Sequence, residues 1–146
     1  MLTPNLDQDF APVFKATLGY IVMFYVFVFG QAASKVVLYL LERRKNPEAT
    51  FQNIKYKNQD HAALTVDRTT GNAVEQGVMF MTSLWLCAVF ASVEHAAKYG
   101  WIYVGFRSIY PICFYMGVHY VVISTIPNYI CIISLLQPVV AAAYAS

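Results

Sequence analysis

Long stretches without any charged side chain constrain this chain more than any other feature. Ala16 to Ser34 carries no charge, nor does Gln76 to Val93, and from Tyr99 to Ser146 the only charged residue is Arg107. A helix that crosses a bilayer needs about 20 consecutive apolar residues, so the last stretch holds two spans and a turn. Four spans are expected, near Ala11–Leu41, Arg68–Val93, Ala97–Met116 and His119–Ala142. The runs are continuously apolar and lack strict period-two alternation, which selects helices over a barrel. The expected fold class is all-α: an integral membrane four-helix bundle, one domain over residues 1–146.

Composition agrees. Only 12% of residues are charged, 58% are hydrophobic and the formal net charge is +2, whereas a soluble domain carries about a quarter charged residues. Disorder, a basic nucleic-acid-binding domain and a disulfide scaffold are excluded, and the lipid bilayer is the first expected partner. The N-terminus, Met1 to Asp9, is acidic and contains Pro4. A secretory signal would open with positive charge and a shorter apolar core, so the first helix is expected to be a retained span.

Basic residues set the orientation. Arg43, Arg44, Lys45, Lys55, Lys57 and Arg68 fall between spans one and two, while Lys15 and Lys98 alone lie near the other face. The positive-inside rule places the 42–67 loop in the cytosol and both termini opposite. In a mitochondrion or plastid the corresponding side is matrix or stroma. Lys35, late in span one, is expected to snorkel to the same face. Within the loop, Phe51, Ile54 and Tyr56 alternate with Lys55 and Lys57, a pattern suited to the headgroup layer; a solvated basic loop that only fixes topology reads equally well. Cys87, Cys113 and Cys131 fall in the spans as small buried hydrophobes. No cysteine spacing matches a metal motif and no two of His61, His95 and His119 share a helical face, so no metal site is expected.

Polar residues at the membrane carry the functional signal. Arg68, Asn72 and Glu75, spaced i, i+4 and i+7, lie within about 60° of one another on one helical face. Asp67 is expected to cap this helix or its preceding turn. In span three, Tyr103, Arg107, Tyr110 and Phe114 repeat the pattern. An arginine so deep costs at least about 2.5–3.5 kcal/mol without a partner, and Glu75 is the expected counter-charge. Pro111 frees the carbonyl of Arg107 and should bend the helix there. The resulting polar niche suits an anionic ligand; a buried Glu75–Arg107 pair that only fixes helix register is the purely structural alternative.

Arg68-Thr-Thr-Gly-Asn72-Ala-Val-Glu75 resembles the second-helix signature Arg-x-x-x-Asn-x-x-Glu of the MAPEG family, the membrane-associated proteins of eicosanoid and glutathione metabolism. Glu42-Arg43-Arg44-Lys45-Asn46-Pro47-Glu48 is similar to the basic segment that leaves the family's first helix. Tyr103 to Pro111 resembles its third-helix Arg-x-x-Tyr region, and length and layout agree. The resemblance implies a homotrimer that binds glutathione on the cytosolic side between neighbouring subunits. It implies contacts from Arg68, Asn72 and Glu75 on span two, from Arg107 and Tyr110 on span three, and from Arg43 or its neighbour Arg44. Phe114, beside Tyr115, falls near a second family tyrosine. Guanidinium groups suit the two carboxylates of the tripeptide, and Glu75 suits its ammonium.

The chain departs from the pattern at span four. Catalytic members that it resembles carry an early span-four arginine that stabilises the glutathione thiolate, a need that follows from the thiol being mostly protonated at neutral pH. Here His119 to Asn128 contains no arginine or lysine; His119, Tyr120 and Ser124 are the hydrogen-bonding residues on offer, and no catalytic residue is assigned. Two readings follow. One is a glutathione transferase or peroxidase acting on a lipophilic electrophile, a small molecule that enters from the bilayer. The other is a non-catalytic scaffold or accessory subunit that joins other membrane subunits in a larger complex. An endoplasmic reticulum or other endomembrane location is expected, with an organelle membrane as the alternative.

Overall fold

The structure is a computed structural model that describes residues 9–52 and 60–145. Its regular elements are helical throughout these residues: α1 (Ala11–Lys45), α2 (His61–Phe90), α3 (Val93–Ser108), α4 (Tyr110–Met116) and, after a 3-10 turn at Val118–Tyr120, α5 (Val121–Tyr144). These helices fall on the four stretches expected as spans, with α3 and α4 sharing the third. Ala11–Lys45, His61–Phe90 and Val118–Tyr144 are each long and apolar enough to cross a membrane. The 35 residues of α1 reach about 50 Å at 1.5 Å per residue, so α1 projects beyond a hydrocarbon core of about 30 Å. Ile54 to Lys57, the proposed headgroup segment, lie outside the described residues, as do Met1 to Gln8.

Two boundaries differ from the sequence reading. α2 begins at His61, well before Arg68, because Asp60 and not Asp67 is its cap: the Asp60 carboxylate accepts from the amides of Ala62 (2.9 Å) and Ala63 (3.1 Å), satisfying donors that have no partner within the helix. Asp67 stands inside the helix, where its carboxylate accepts from Gln31 Nε2 (2.6 Å) and pairs with Lys35 Nζ (2.8 Å). Lys35 therefore does not snorkel freely; it ties α1 to α2. Because α1 continues to Lys45, the connection shrinks to residues 46–60. At the opposite end only Ala91 and Ser92 separate α2 from α3, and the Ser92 hydroxyl caps α3 by accepting from His95 N (3.2 Å).

α2 and α3 pack on each other, and each packs on both α1 and α5; α1 and α5 do not touch one another among the described residues. The section is thus a flat rhombus whose core lies along its short diagonal, with Phe80, Leu84, Tyr103 and Leu135 wholly buried. Large apolar side chains such as Val22, Val26 and Phe29 cover the outside, as hydrocarbon requires. Close approach needs missing side chains. The Tyr20 hydroxyl donates to the Ala73 carbonyl (3.0 Å) across the face of Gly77, where a Cβ would overlap that hydroxyl. Gly100 lets Ala16 of α1 and Leu84 of α2 close in on α3, each 3.0 Å from where its Cβ would stand.

Proline leaves carbonyls that the bundle must satisfy. Pro138, inside α5, has no N–H for the Ser134 carbonyl four residues earlier; His95 Nε2 donates to that carbonyl instead (2.9 Å). At the third span, the helix breaks at Ile109, just before Pro111; the Arg107 carbonyl that Pro111 strands accepts from Ile109 N, and the Phe106 carbonyl beside it accepts from Ser124 Oγ (2.6 Å). Both side-chain bonds join α3 to α5.

Gly77→Ala is expected to destabilise the protein by about 1–3 kcal/mol through overpacking against Tyr20. Thermal unfolding in detergent should show most of that loss vanish in a Tyr20→Phe background, which removes the clashing oxygen; an equal loss in both backgrounds would place the clash elsewhere.

Candidate functional site

The polar stripe of α2 is longer than its signature. Asn72 and Gln76, one turn apart, meet the Arg107 guanidinium: Nη2 donates to Asn72 Oδ1 (2.8 Å) and Nη1 to Gln76 Oε1 (3.2 Å). Arg107 is fully buried and its guanidinium carbon sits 4.9 Å from the centroid of the Tyr110 ring. Asn72 also donates from Nδ2 to the Tyr110 hydroxyl (3.0 Å). One amide thus accepts from the arginine and donates to the tyrosine, joining α2, α3 and α4 at a single point. Beneath this point Tyr103 lies flat on Phe80, with centroids 3.8 Å apart and planes 5° off parallel.

The expected Glu75–Arg107 ion pair does not form. Glu75 lies on the exposed side of α2, and the buried guanidinium takes neutral amide oxygens and an aromatic face in place of a carboxylate. The helical wheel explains the difference: Gln76 stands one full turn from Asn72 and faces the core with it, whereas Glu75 is rotated away. Gln76 is the i+4 partner of Asn72 but carries no charge to mark it in the sequence.

Arg68, Asn72, Glu75 and Tyr110, four of the six expected ligand residues, line one cavity of about 680 Å³, a size typical of small-molecule sites. Asp67, Leu64 and Gly71 complete its α2 wall, and Phe114, Val118 and Val121 form the wall opposite. Phe114, and not Tyr115, turns into the cavity. Arg107 lies behind it, in contact with Asn72 and Tyr110. Arg43 does not line it: Arg43 Nη1 donates to the Tyr39 hydroxyl (3.0 Å) on the exposed end of α1. Among the described residues neither Arg68 nor Glu75 is ion-paired, so the cavity presents one free cation and one free anion; Lys35 neutralises Asp67.

The end wall is held in place by His61, whose Nε2 donates to the Tyr115 carbonyl (3.0 Å) and whose ring stacks near Phe114. A second cavity of about 360 Å³ shares Asn72 and Glu75 and continues along α5 past Thr125 and Tyr129. Of the hydrogen-bonding residues that span four offers in place of an arginine, Ser124 is committed to the Phe106 carbonyl, while the His119 and Tyr120 rings meet at a tilt of 45° and line neither of these two cavities. Val121, Thr125 and Tyr129 are the α5 residues that face this region. The signal available in the sequence was the spacing of Val121, Thr125 and Tyr129, four residues apart on one face of α5, which carries no charge to mark it.

Asn72→Ala is expected to cost about 1.5–3 kcal/mol, since Arg107 loses a charge-assisted acceptor, whereas Glu75→Gln should shift stability by less than about 0.5 kcal/mol, as for other surface changes. A double-mutant cycle in denaturant should couple Asn72 to Arg107 and leave Glu75 uncoupled; strong Glu75–Arg107 coupling would contradict the amide-held arginine.

Comparison with curated proteins finds no matching relative. Residues 10–143 match the MAPEG family over nearly the whole chain, in accord with the helical membrane bundle and the polar faces of α2 and α3, and the chain belongs to that family.

Proposed function

We propose that the 680 Å³ cavity binds glutathione. The observation that carries this reading is the convergence of Arg68, Asn72, Glu75 and Tyr110 on one cavity in which a guanidinium and a carboxylate stand unpaired. Glutathione is a zwitterion with two carboxylates and one ammonium. Arg68 offers a planar fork to a carboxylate, Glu75 offers a counter-charge to the ammonium, and Asn72 and Tyr110 offer hydrogen bonds held in place by Arg107. Arg43, outside its own chain's cavity, serves a neighbouring subunit's ligand in a homotrimer. The chain acts as one four-span unit, with the basic connection on the cytosolic side of an endomembrane.

Bound there, the thiol would meet a lipophilic electrophile arriving from the bilayer, in a transferase or peroxidase reaction that gains from holding both partners together. A specific observation favours a second reading. Val121 lines the cavity where α5 begins, and α5 supplies no cation to stabilise a thiolate. A protein that holds glutathione without activating it, as a scaffold or accessory subunit among other membrane proteins, fits that wall.

Calorimetric titration of the detergent-solubilised protein with glutathione, with thiolate ultraviolet absorbance followed in parallel, tests both. Binding is expected, and Arg68→Ala and Glu75→Gln should each weaken it about tenfold or more, as loss of a charge-assisted bond implies, with thermal midpoints unchanged. A thiolate signal selects the enzyme and binding without one selects the scaffold; no heat at all would overturn the glutathione assignment.

A further inference from the structure

One wall of the cavity is a separate piece of helix. α4 has seven residues, Tyr110–Met116, about two turns, and so short a helix does not hold its shape unaided. Both of its ends are interrupted. At Ile109 the chain leaves α3, and Pro111 has no N–H to carry the helical ladder across. At Gly117 the backbone turns with φ +143°, a conformation open to glycine and strained for other residues.

Between these breaks, two hydrogen bonds from α2 hold α4. The inner one runs from Asn72 Nδ2 to the Tyr110 hydroxyl (3.0 Å) and is braced by the buried Arg107, which donates to the same amide. The outer one runs from His61 Nε2 to the Tyr115 carbonyl (3.0 Å) and is exposed. That carbonyl lies in the last turn of α4, where no helical N–H follows to meet it. The rings of Tyr110, Phe114 and His61 stack in sequence from one bond to the other, with centroids 6.1 and 6.4 Å apart.

α4 faces the cavity with Tyr110 and Phe114 and the outside with Ile112, Tyr115 and Met116, all exposed. It therefore partitions the cavity from the surrounding bilayer. We propose that α4 is a gate through which an apolar molecule dissolved in the bilayer reaches the cavity, and that His61 is its latch. The braced inner bond and the Ile109 break form the pivot, and Gly117 takes up the change of direction. Releasing the exposed bond frees the outer end of α4 and withdraws Phe114 from the wall. His61 does not itself line the cavity; it is a positioning residue that acts through the Tyr115 carbonyl. The gate stands whether or not the cavity takes glutathione.

The protein's own cysteines report the motion. Cys113 is a buried residue of α4, while Cys87 and Cys131 belong to the packed core of the bundle. Opening of α4 uncovers Cys113 alone, whereas unfolding uncovers all three. The detergent-solubilised protein is treated with N-ethylmaleimide, and labelling is followed at each cysteine by mass spectrometry. Cys113 should label at least about tenfold faster than the other two, since local opening is less costly than global unfolding. His61→Phe keeps a ring against Phe114 but removes the donor. It should speed Cys113 about fivefold, the factor that one hydrogen bond makes in an opening equilibrium, and leave Cys87 and Cys131 unchanged. His61→Gln, which restores a side-chain N–H, should return the rate most of the way to that of the parent. A Cys113 rate unchanged by His61→Phe, or a rise shared by all three cysteines, would mean a wall fixed without a latch and would overturn the proposal.

Discussion

The structure turns on one buried cation. Arg107 has no exposed surface, and its guanidinium is shared between the Asn72 and Gln76 side-chain oxygens with the Tyr110 ring against it. A charge in this position is tolerated only when it finds polar partners. Meeting them fixes the rotation of α2, which must present Asn72 and Gln76 together, and the direction of α3, which must break just beyond the arginine so that Tyr110 folds back over it. The same Asn72 amide then bonds to Tyr110, so the support of the cation and the wall of the cavity are one network.

A carboxylate partner would have neutralised the arginine but removed Glu75 from the cavity. Amide oxygens solve the burial problem without that loss, and leave Glu75 and Arg68 on the open face of α2 as an anion and a cation unpaired among the described residues. The Asp67–Lys35 pair is set apart from them, joining α2 to α1. Charge is therefore distributed by position: paired where helices hold together, met by neutral acceptors where the cation is buried, and unpaired among the described residues where the cavity is open.

Membrane helices cannot leave backbone groups to water, and at two helix interruptions this bundle meets a carbonyl with a side chain. The Ser134 carbonyl that Pro138 strands is met by His95, and the Phe106 carbonyl beside the Ile109 break accepts from Ser124. Both side chains lie across the α3–α5 interface. The interruptions that bend these helices also set the register between them.

The spans, their helical character and the stripe Arg68, Asn72, Glu75 were legible in the sequence, because hydrocarbon enforces continuous apolar runs and a helix places residues three and four apart on one face. Helix starts were not: Asp60 caps α2 seven residues before Asp67, and charged residues near a membrane surface read as loop whether or not they are helical. Nor was the partner of Arg107. Local spacing says which residues share a face, but Glu75 and Gln76 lie about 100° apart on either side of Asn72, and only the rotation of α2 against α3 decides which one turns inward. That rotation is a tertiary quantity, set by Gly77 and Gly100 letting three helices close and by Tyr103 lying on Phe80. The sequence alone determined what had to be buried and what had to be polar; the packing decided which polar group met which, because hydrogen bonds of about 3 Å depend on distances that no spacing along one helix encodes.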